Sequence, residues 1–219
     1  MRGPRRARLR GGVQDPPGSR VRRIALTGGI AAGKSYVRAA FEALGVPTID
    51  SDVLAREAVA PGSPGLAAVV DRFGRDVLDA NSALDRQKMA KRVFADPGAR
   101  KALEAIIHPY VRQAMEQWFA SLAPHQHPFA IADIPLLYEV GREGDFDAVI
   151  VAACDPETQM RRVMKRDGVS EADARQRLAA QLPIDEKVRR ADYVIRTDGS
   201  FEDTAVQIRD VHERFASGR

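Results

Sequence analysis

Gly28-Gly29-Ile30-Ala31-Ala32-Gly33-Lys34-Ser35, preceded by Arg23-Ile24-Ala25-Leu26-Thr27, is the stretch that decides the fold. It follows the G-x-x-x-x-G-K-[ST] pattern of a P-loop. Gly28 and Gly33 permit a tight turn whose backbone N–H groups face phosphate oxygens. Lys34 supplies a point charge for the β- and γ-phosphates, and the Ser35 hydroxyl suits Mg²⁺. The run before the loop reads as a buried parallel strand. After it, Val37, Ala40, Phe41 and Leu44 recur at helical spacing until Gly45 stops the helix. Strand, glycine loop and helix N-terminus together form an anion site.

Outward from this unit the same alternation continues. Apolar runs at Ile24–Thr27, Val46–Ile49, Phe129–Ala132, Ala148–Ala153 and Tyr193–Ile195 are separated by helical patterns. That order predicts βαβ units and a five-stranded parallel sheet flanked by helices. Helices are expected over Lys34–Leu44, Asp52–Ala60, Gly65–Phe73, Asp85–Phe94, Pro97–Ile107, Pro109–Leu122, Pro156–Arg166, Ser170–Leu182 and Phe201–Phe215. Ser170 with Asp173 reads as a capping box with a shorter acid, and Asp155-Pro156 as an N-cap followed by proline. Residues 61–124, mostly helical, intervene between the second and third strands.

The 219 residues are 44% hydrophobic and 29% charged, which suits one globular domain. No apolar stretch reaches membrane-spanning length. The single cysteine, Cys154, lies in an apolar run, reads as core, and fits a reducing cytoplasm. The net charge of +4 is unevenly placed: residues 1–23 carry eight Arg against Asp15, or +7, leaving −3 for the rest. The tail, residues 1–21, is rich in Gly, Pro and Arg, lacks an apolar core and is expected to be disordered. Its arginines suggest a nucleic-acid or membrane-surface arm or an organellar address. No aromatic side chains interleave with them, which favours a solvated extension or an early start codon.

Several constellations carry chemistry. The second strand ends in Ile49-Asp50-Ser51-Asp52, in the crevice a P-loop shares. There a carboxylate can accept a hydroxyl proton or help hold Mg²⁺, while Asp52 can equally be a helix-terminus charge. Asp133 ends the Phe129–Ala132 run, as a Walker-B acid does. Ile134-Pro135-Leu136-Leu137 reads as an extended apolar exit, lining a pocket or filling core. Nine Lys and Arg between Arg161 and Arg190 suggest a basic lid, most of it solvated. Arg162 and Arg166 are i,i+4, so both can point at one phosphate cluster. His108-Pro109 reads as a junction between helices, and Met115, Trp118 and Phe119 as core.

Taken together, these residues resemble the dephospho-CoA kinase family. The resemblance covers about residues 22–217. It rests on the Leu26–Ser35 loop, Ile49–Asp52 with Ala55-Arg56, Ile107-His108-Pro109, Asp133–Glu139, Gln159–Arg166 and Ala191–Ile195. It implies a P-loop kinase fold: an α/β core over about 22–60 and 125–219, a helical substrate-binding insertion over about 61–124, and a lid over about 162–190. It implies transfer of the γ-phosphoryl of ATP to the ribose 3′-hydroxyl of dephospho-CoA, with Mg²⁺. By position, the catalytic group is Asp52, assisted by Lys34 and Arg162. Gly28, Gly29, Ile30, Ala31, Ala32, Gly33, Lys34, Ser35 and Arg166 face ATP. Asp52, His108, Pro135 and Leu136 face the acceptor, and Ser35 and Asp133 face the metal. A cytoplasmic monomer or small homo-oligomer is expected, with no membrane or nucleic-acid partner.

Departures stand out in two places. In the loop, Ala31-Ala32 replace the family's small Gly/Ser pair and Tyr36 follows Ser35 where the family usually has a Ser/Thr pair; after the last strand, Thr197 replaces its Asn. Kinases of nucleoside monophosphates, shikimate or gluconate share the loop and remain rivals. A GTPase does not fit: Asp71-Arg72-Phe73-Gly74 mimics a switch motif inside a helical stretch, and no Asn-Lys-x-Asp guanine reader occurs.

Overall fold

The computed structural model describes residues 20–217. The elements, in order, are β1 (Arg22–Gly28), α1 (Lys34–Ala43), β2 (Thr48–Asp50), α2 (Ser51–Ala58), α3 (Pro64–Phe73), α4 (Arg86–Ala95), α5 (Pro97–Ser121), β3 (Phe129–Asp133), β4 (Ala148–Ala153), α6 (Pro156–Asp167), α7 (Glu171–Ala179), α8 (Ile184–Arg190), β5 (Tyr193–Arg196) and α9 (Phe201–Ala216). They form two compact units. One runs to Ile49 and resumes at Leu122; the other is Asp50–Ser121. The helical unit thus begins at Asp50, and α2 clusters with it.

The first unit is built on the expected parallel sheet, in the order β2-β3-β1-β4-β5. β1 is central, pairing with β3 on one side and β4 on the other. Its register sets Leu26 beside Asp133 and Gly28 beside Ala152, so the loop after β1 and the acid ending β3 share one sheet end. β3 and β4 are buried along their whole length, as unbroken apolar runs require in a two-sided sheet. Ile24, Leu26, Ile131 and Ile150 pack with Val37 and Phe41 of α1 and Ile208 and Phe215 of α9. Cys154 is buried here, and burial pushes its thiol up, away from the reactive thiolate.

In the helical unit, Leu66, Val69 and Phe73 of α3 pack with Met89 of α4 and Ala99 of α5. Asp71-Arg72-Phe73 lies inside α3, with Gly74 at its end at φ 89°. Residues 97–121 form one continuous helix, where the sequence predicts a break at His108-Pro109. Pro109 has no N–H to give the Ala105 carbonyl, four residues earlier. His108, Pro109 and Ala105 are all exposed, so that carbonyl can be hydrated and the helix continues. Met115 and Phe119 are core as expected, and Trp118 lies edge-on to Phe119. No helix among the described residues is long and apolar enough to cross a membrane.

The expected basic tail falls almost wholly outside the described residues. Its last two members belong to the fold: Val21 is buried, and Arg20 grips Asp147 through both guanidinium nitrogens at 2.7 and 2.6 Å. Burial alone pushes the Asp147 carboxyl up, but Arg20, the Arg23 amide at 2.7 Å and nearby Arg22 outweigh it and hold the group below its ordinary value. A carboxyl depressed by folding stabilises the native state above its unfolded pKa, and that contribution fades as pH falls through the folded value. Asp147→Asn is therefore expected to cost about 1 kcal/mol near neutrality, a modest figure because Arg20 is half exposed. Thermal midpoints should show that gap narrowing below about pH 4.

Candidate active site

The loop after β1 begins with two close backbone approaches. A Cβ on Gly28 would lie 2.6 Å from the Ala152 carbonyl oxygen, and one on Gly29 would lie 2.2 Å from Gln159 Nε2. The obstacle at Gly28 is β4 backbone, which cannot swing aside. Gly28→Ala is expected to lose about 1–3 kcal/mol by overpacking. Gly29→Ala, which need only displace a side chain, should lose less; denaturant midpoints of the two variants test the order. Gly33 sits at φ 80°, where an L side chain is strained. Ala31 adopts φ 56° without being glycine, so the loop stores local strain there.

Two glutamines hold the loop's second turn. Gln159 Nε2 donates to the Ile30 carbonyl at 2.7 Å, and the Ile30 N–H donates to Gln181 Oε1 at 2.9 Å. Below the loop, Thr197 is buried and its hydroxyl donates to the Ala32 carbonyl at 2.9 Å. Arg162 braces Thr197, donating to its hydroxyl at 3.1 Å and its carbonyl at 2.6 Å. Thr197 thus serves as a strut under the loop. Gln159 and Gln181 escaped sequence reasoning because lone Gln side chains carry no periodic signal, and Gln159 lay inside a resembling segment without a role; Thr197 stood out only as a departure after the last strand, not as a support of the loop.

Lys34, the first residue of α1, pairs with Asp133, which is 1% exposed at the end of β3. Arg38, one turn along α1, places its guanidinium 3.8 Å from the other Asp133 oxygen. The two strongest charged predictions in this unit therefore meet. Ser35 is exposed beside Lys34. A hydroxyl and a carboxylate are hard oxygen donors, fitting a cation that takes one or two protein ligands and fills its shell with phosphates and water. Among the described residues no cluster of three His, Cys, Asp or Glu offers a metal cage.

Residues 135–141 coil into turns where the sequence predicts an extended exit. The Leu136 carbonyl accepts from the Val140 N–H at 3.1 Å, and the Leu137 carbonyl from the Arg142 N–H at 3.0 Å. Coiling separates the apolar residues: Ile134 and Leu137 are buried, while Leu136 stands 44% exposed. Pro135 is held through its carbonyl by the Thr27 hydroxyl at 3.1 Å.

The basic segment divides more finely than its composition suggests. Arg162 points to the loop strut, but Arg166 turns to Asp167 at 2.7 Å, which also takes Arg177 at 2.5 Å. The i,i+4 pair does not converge here. Lys187, grouped by sequence with the solvated charges, is wholly buried. The predicted caps at Asp155 and Ser170 form, accepting from Thr158 N and Asp173 N. The helix starting at Ser170 ends at Ala179, and α8 follows as a separate helix.

Asp52 and His108 belong to the helical unit. Asp50 is the N-cap of α2 and accepts the Asp52 N–H at 2.8 Å, which leaves the exposed Asp52 carboxylate on the first turn. His108 lines a concave surface of about 560 Å³ along α5 with Ala105, Pro109, Arg112, Gln113 and Glu116.

Residues 22–203 match the family model described as dephospho-CoA kinase. A dephospho-CoA kinase of Anaeromyxobacter dehalogenans is 53% identical over 182 residues, covering 83% of this chain and 86% of that protein. One from Syntrophotalea carbinolica is 44% identical over 89% of this chain and 92% of its own length. The solved dephospho-CoA kinase from Campylobacter jejuni superposes with a TM-score of 0.69 at 28% identity, covering 90% of this chain and 98% of that one. The sheet and loop are those of the P-loop kinases, and a shikimate kinase from Acinetobacter baumannii shares that fold at 16% identity and a TM-score of 0.50. The chain belongs to the dephospho-CoA kinase family.

Proposed function

We propose that this protein transfers the γ-phosphoryl group of ATP to the ribose 3′-hydroxyl of dephospho-CoA, giving coenzyme A and ADP. One observation carries this reading: the kinship extends over residues 22–203, and so over Asp52, His108, the segment after β3 and Arg162 as well as the phosphate loop.

In this mechanism the Gly28–Ser35 loop and the Lys34 ammonium hold the triphosphate while the Ile30 N–H stays on Gln181, and Arg166 exchanges Asp167 for the phosphates from the lid at about 162–190. Lys34 leaves Asp133 for the phosphates, and Arg38 remains beside the carboxylate. Ser35 and Asp133 would hold Mg²⁺, which when bound offsets charge on the phosphate oxygens. Asp52 accepts the proton of the attacking hydroxyl. Arg162 stabilises charge on the group in transfer, at the expense of its hold on Thr197. His108, Pro135 and Leu136 face the acceptor. Positioning and electrostatics account for most of the acceleration, as is general in phosphoryl transfer.

ADP release should be measured with dephospho-CoA, shikimate, gluconate and nucleoside monophosphates offered in turn. Turnover with dephospho-CoA alone is the expected result; turnover with another acceptor only would overturn the assignment.

A further inference from the structure

A lysine with no solvent exposure is costly unless each of its donors is used. Lys187, on α8, meets that condition with three acceptors from separate parts of the chain. Its ammonium lies 3.3 Å from the Gly28 carbonyl, 3.2 Å from the Pro135 carbonyl and 2.8 Å from Glu139 Oε1. The first is the opening residue of the phosphate loop, the second the start of the coiled segment after β3. Glu139 also accepts the Leu182 N–H at 2.9 Å, at the approach to α8. Burial pushes the Glu139 carboxyl up, but Lys187 and the Leu182 amide outweigh it and hold it low, so it is the counter-charge at neutral pH. The C-terminal end of α8 is fastened without either carbonyl: Arg190 pairs with Glu143 and lies 4.4 Å over the ring of Tyr138, itself in the segment after β3.

We propose that Lys187 is a positioning residue that locks the phosphate loop to the acceptor-side segment 134–140, so that nucleotide and acceptor are held in one frame. An ion pair with Glu139 alone would need no bond to either carbonyl. The ammonium joins Gly28 and Pro135 through one rigid centre, and phosphoryl transfer is sensitive to displacements of about 1 Å, worth about 10²-fold in rate. The acceptor half of this inference rests on the function proposed above; the link between the two segments does not.

The test compares wild type, Lys187→Met and Arg190→Ala as full chains, well below their unfolding midpoints. Hydrogen exchange is read on peptides covering 28–35 and 134–140, and kcat is read with ATP and dephospho-CoA. Lys187→Met should speed exchange in both peptides and lower kcat about 10²-fold. Arg190→Ala, which loosens α8 without touching either carbonyl, should leave the 28–35 peptide protected and kcat far less affected. If Lys187→Met does not fold, Glu139→Gln/Lys187→Gln replaces it, since that pair buries no uncompensated charge, and is compared with Glu139→Gln alone. Unchanged exchange at 28–35, or equal losses of kcat in the Lys187 and Arg190 variants, overturns the proposal. A wild type inactive on dephospho-CoA would refute the acceptor assignment, and the exchange pattern would still decide whether Lys187 links the two segments.

Discussion

Asp52→Asn is expected to lower kcat by about 10²- to 10⁴-fold, the range that removal of a general base commands. The structure separates this effect from misfolding. α2 is capped by the Asp50 carboxylate, which accepts the backbone N–H of residue 52, and asparagine retains that N–H. The side chain of Asp52 is exposed, so its neutralisation removes only a first-turn charge worth about 0.3–1 kcal/mol. ADP affinity, set by the loop in the other unit, should change little. The check is kcat beside a thermal melt and an ADP titration on one preparation. Turnover close to wild type in a folded variant removes Asp52 from the role of base.

Lys34→Met is expected to produce a comparable loss by another route. Removing a cation from a transferring phosphoryl group costs about 10²–10³-fold in rate. The same change removes one of the cations beside Asp133 at a site 1% exposed, leaving Arg38 at 3.8 Å. Breaking a buried pair costs up to about 3–5 kcal/mol, and Arg38 offsets part of that here, so the thermal midpoint should fall by a smaller amount. The double variant Lys34→Met/Asp133→Asn should regain much of that stability and none of the rate. Recovery of turnover in the double variant would show that Lys34 only neutralises Asp133.

Both predictions rest on residues that stood out in the sequence, and they stood out for a physical reason. A P-loop confines its glycines, lysine and hydroxyl to eight consecutive positions. Acids at strand ends follow apolar runs in the same way. Such features are local in the chain, so spacing alone reveals them. The order of strands and helices was legible on the same grounds, as was the wrapping of helices around a parallel sheet. His108-Pro109 was misread because proline's cost in a helix depends on whether the Ala105 carbonyl reaches water. Exposure of that kind is decided by the fold.

The sequence by itself determined the phosphate loop, the alternating α/β plan, the acid at Asp133 and, through resemblance, the family. Only tertiary structure decided what holds the loop in shape. Gln159, Gln181, Thr197 and Lys187 lie far along the chain from Gly28–Ser35, and no periodicity links them to it. A buried lysine and an exposed one look alike in a run of basic residues. They differ only once a carbonyl from β1, a carbonyl from the turn after β3 and a carboxylate converge on one ammonium, and chain folding alone brings those three together.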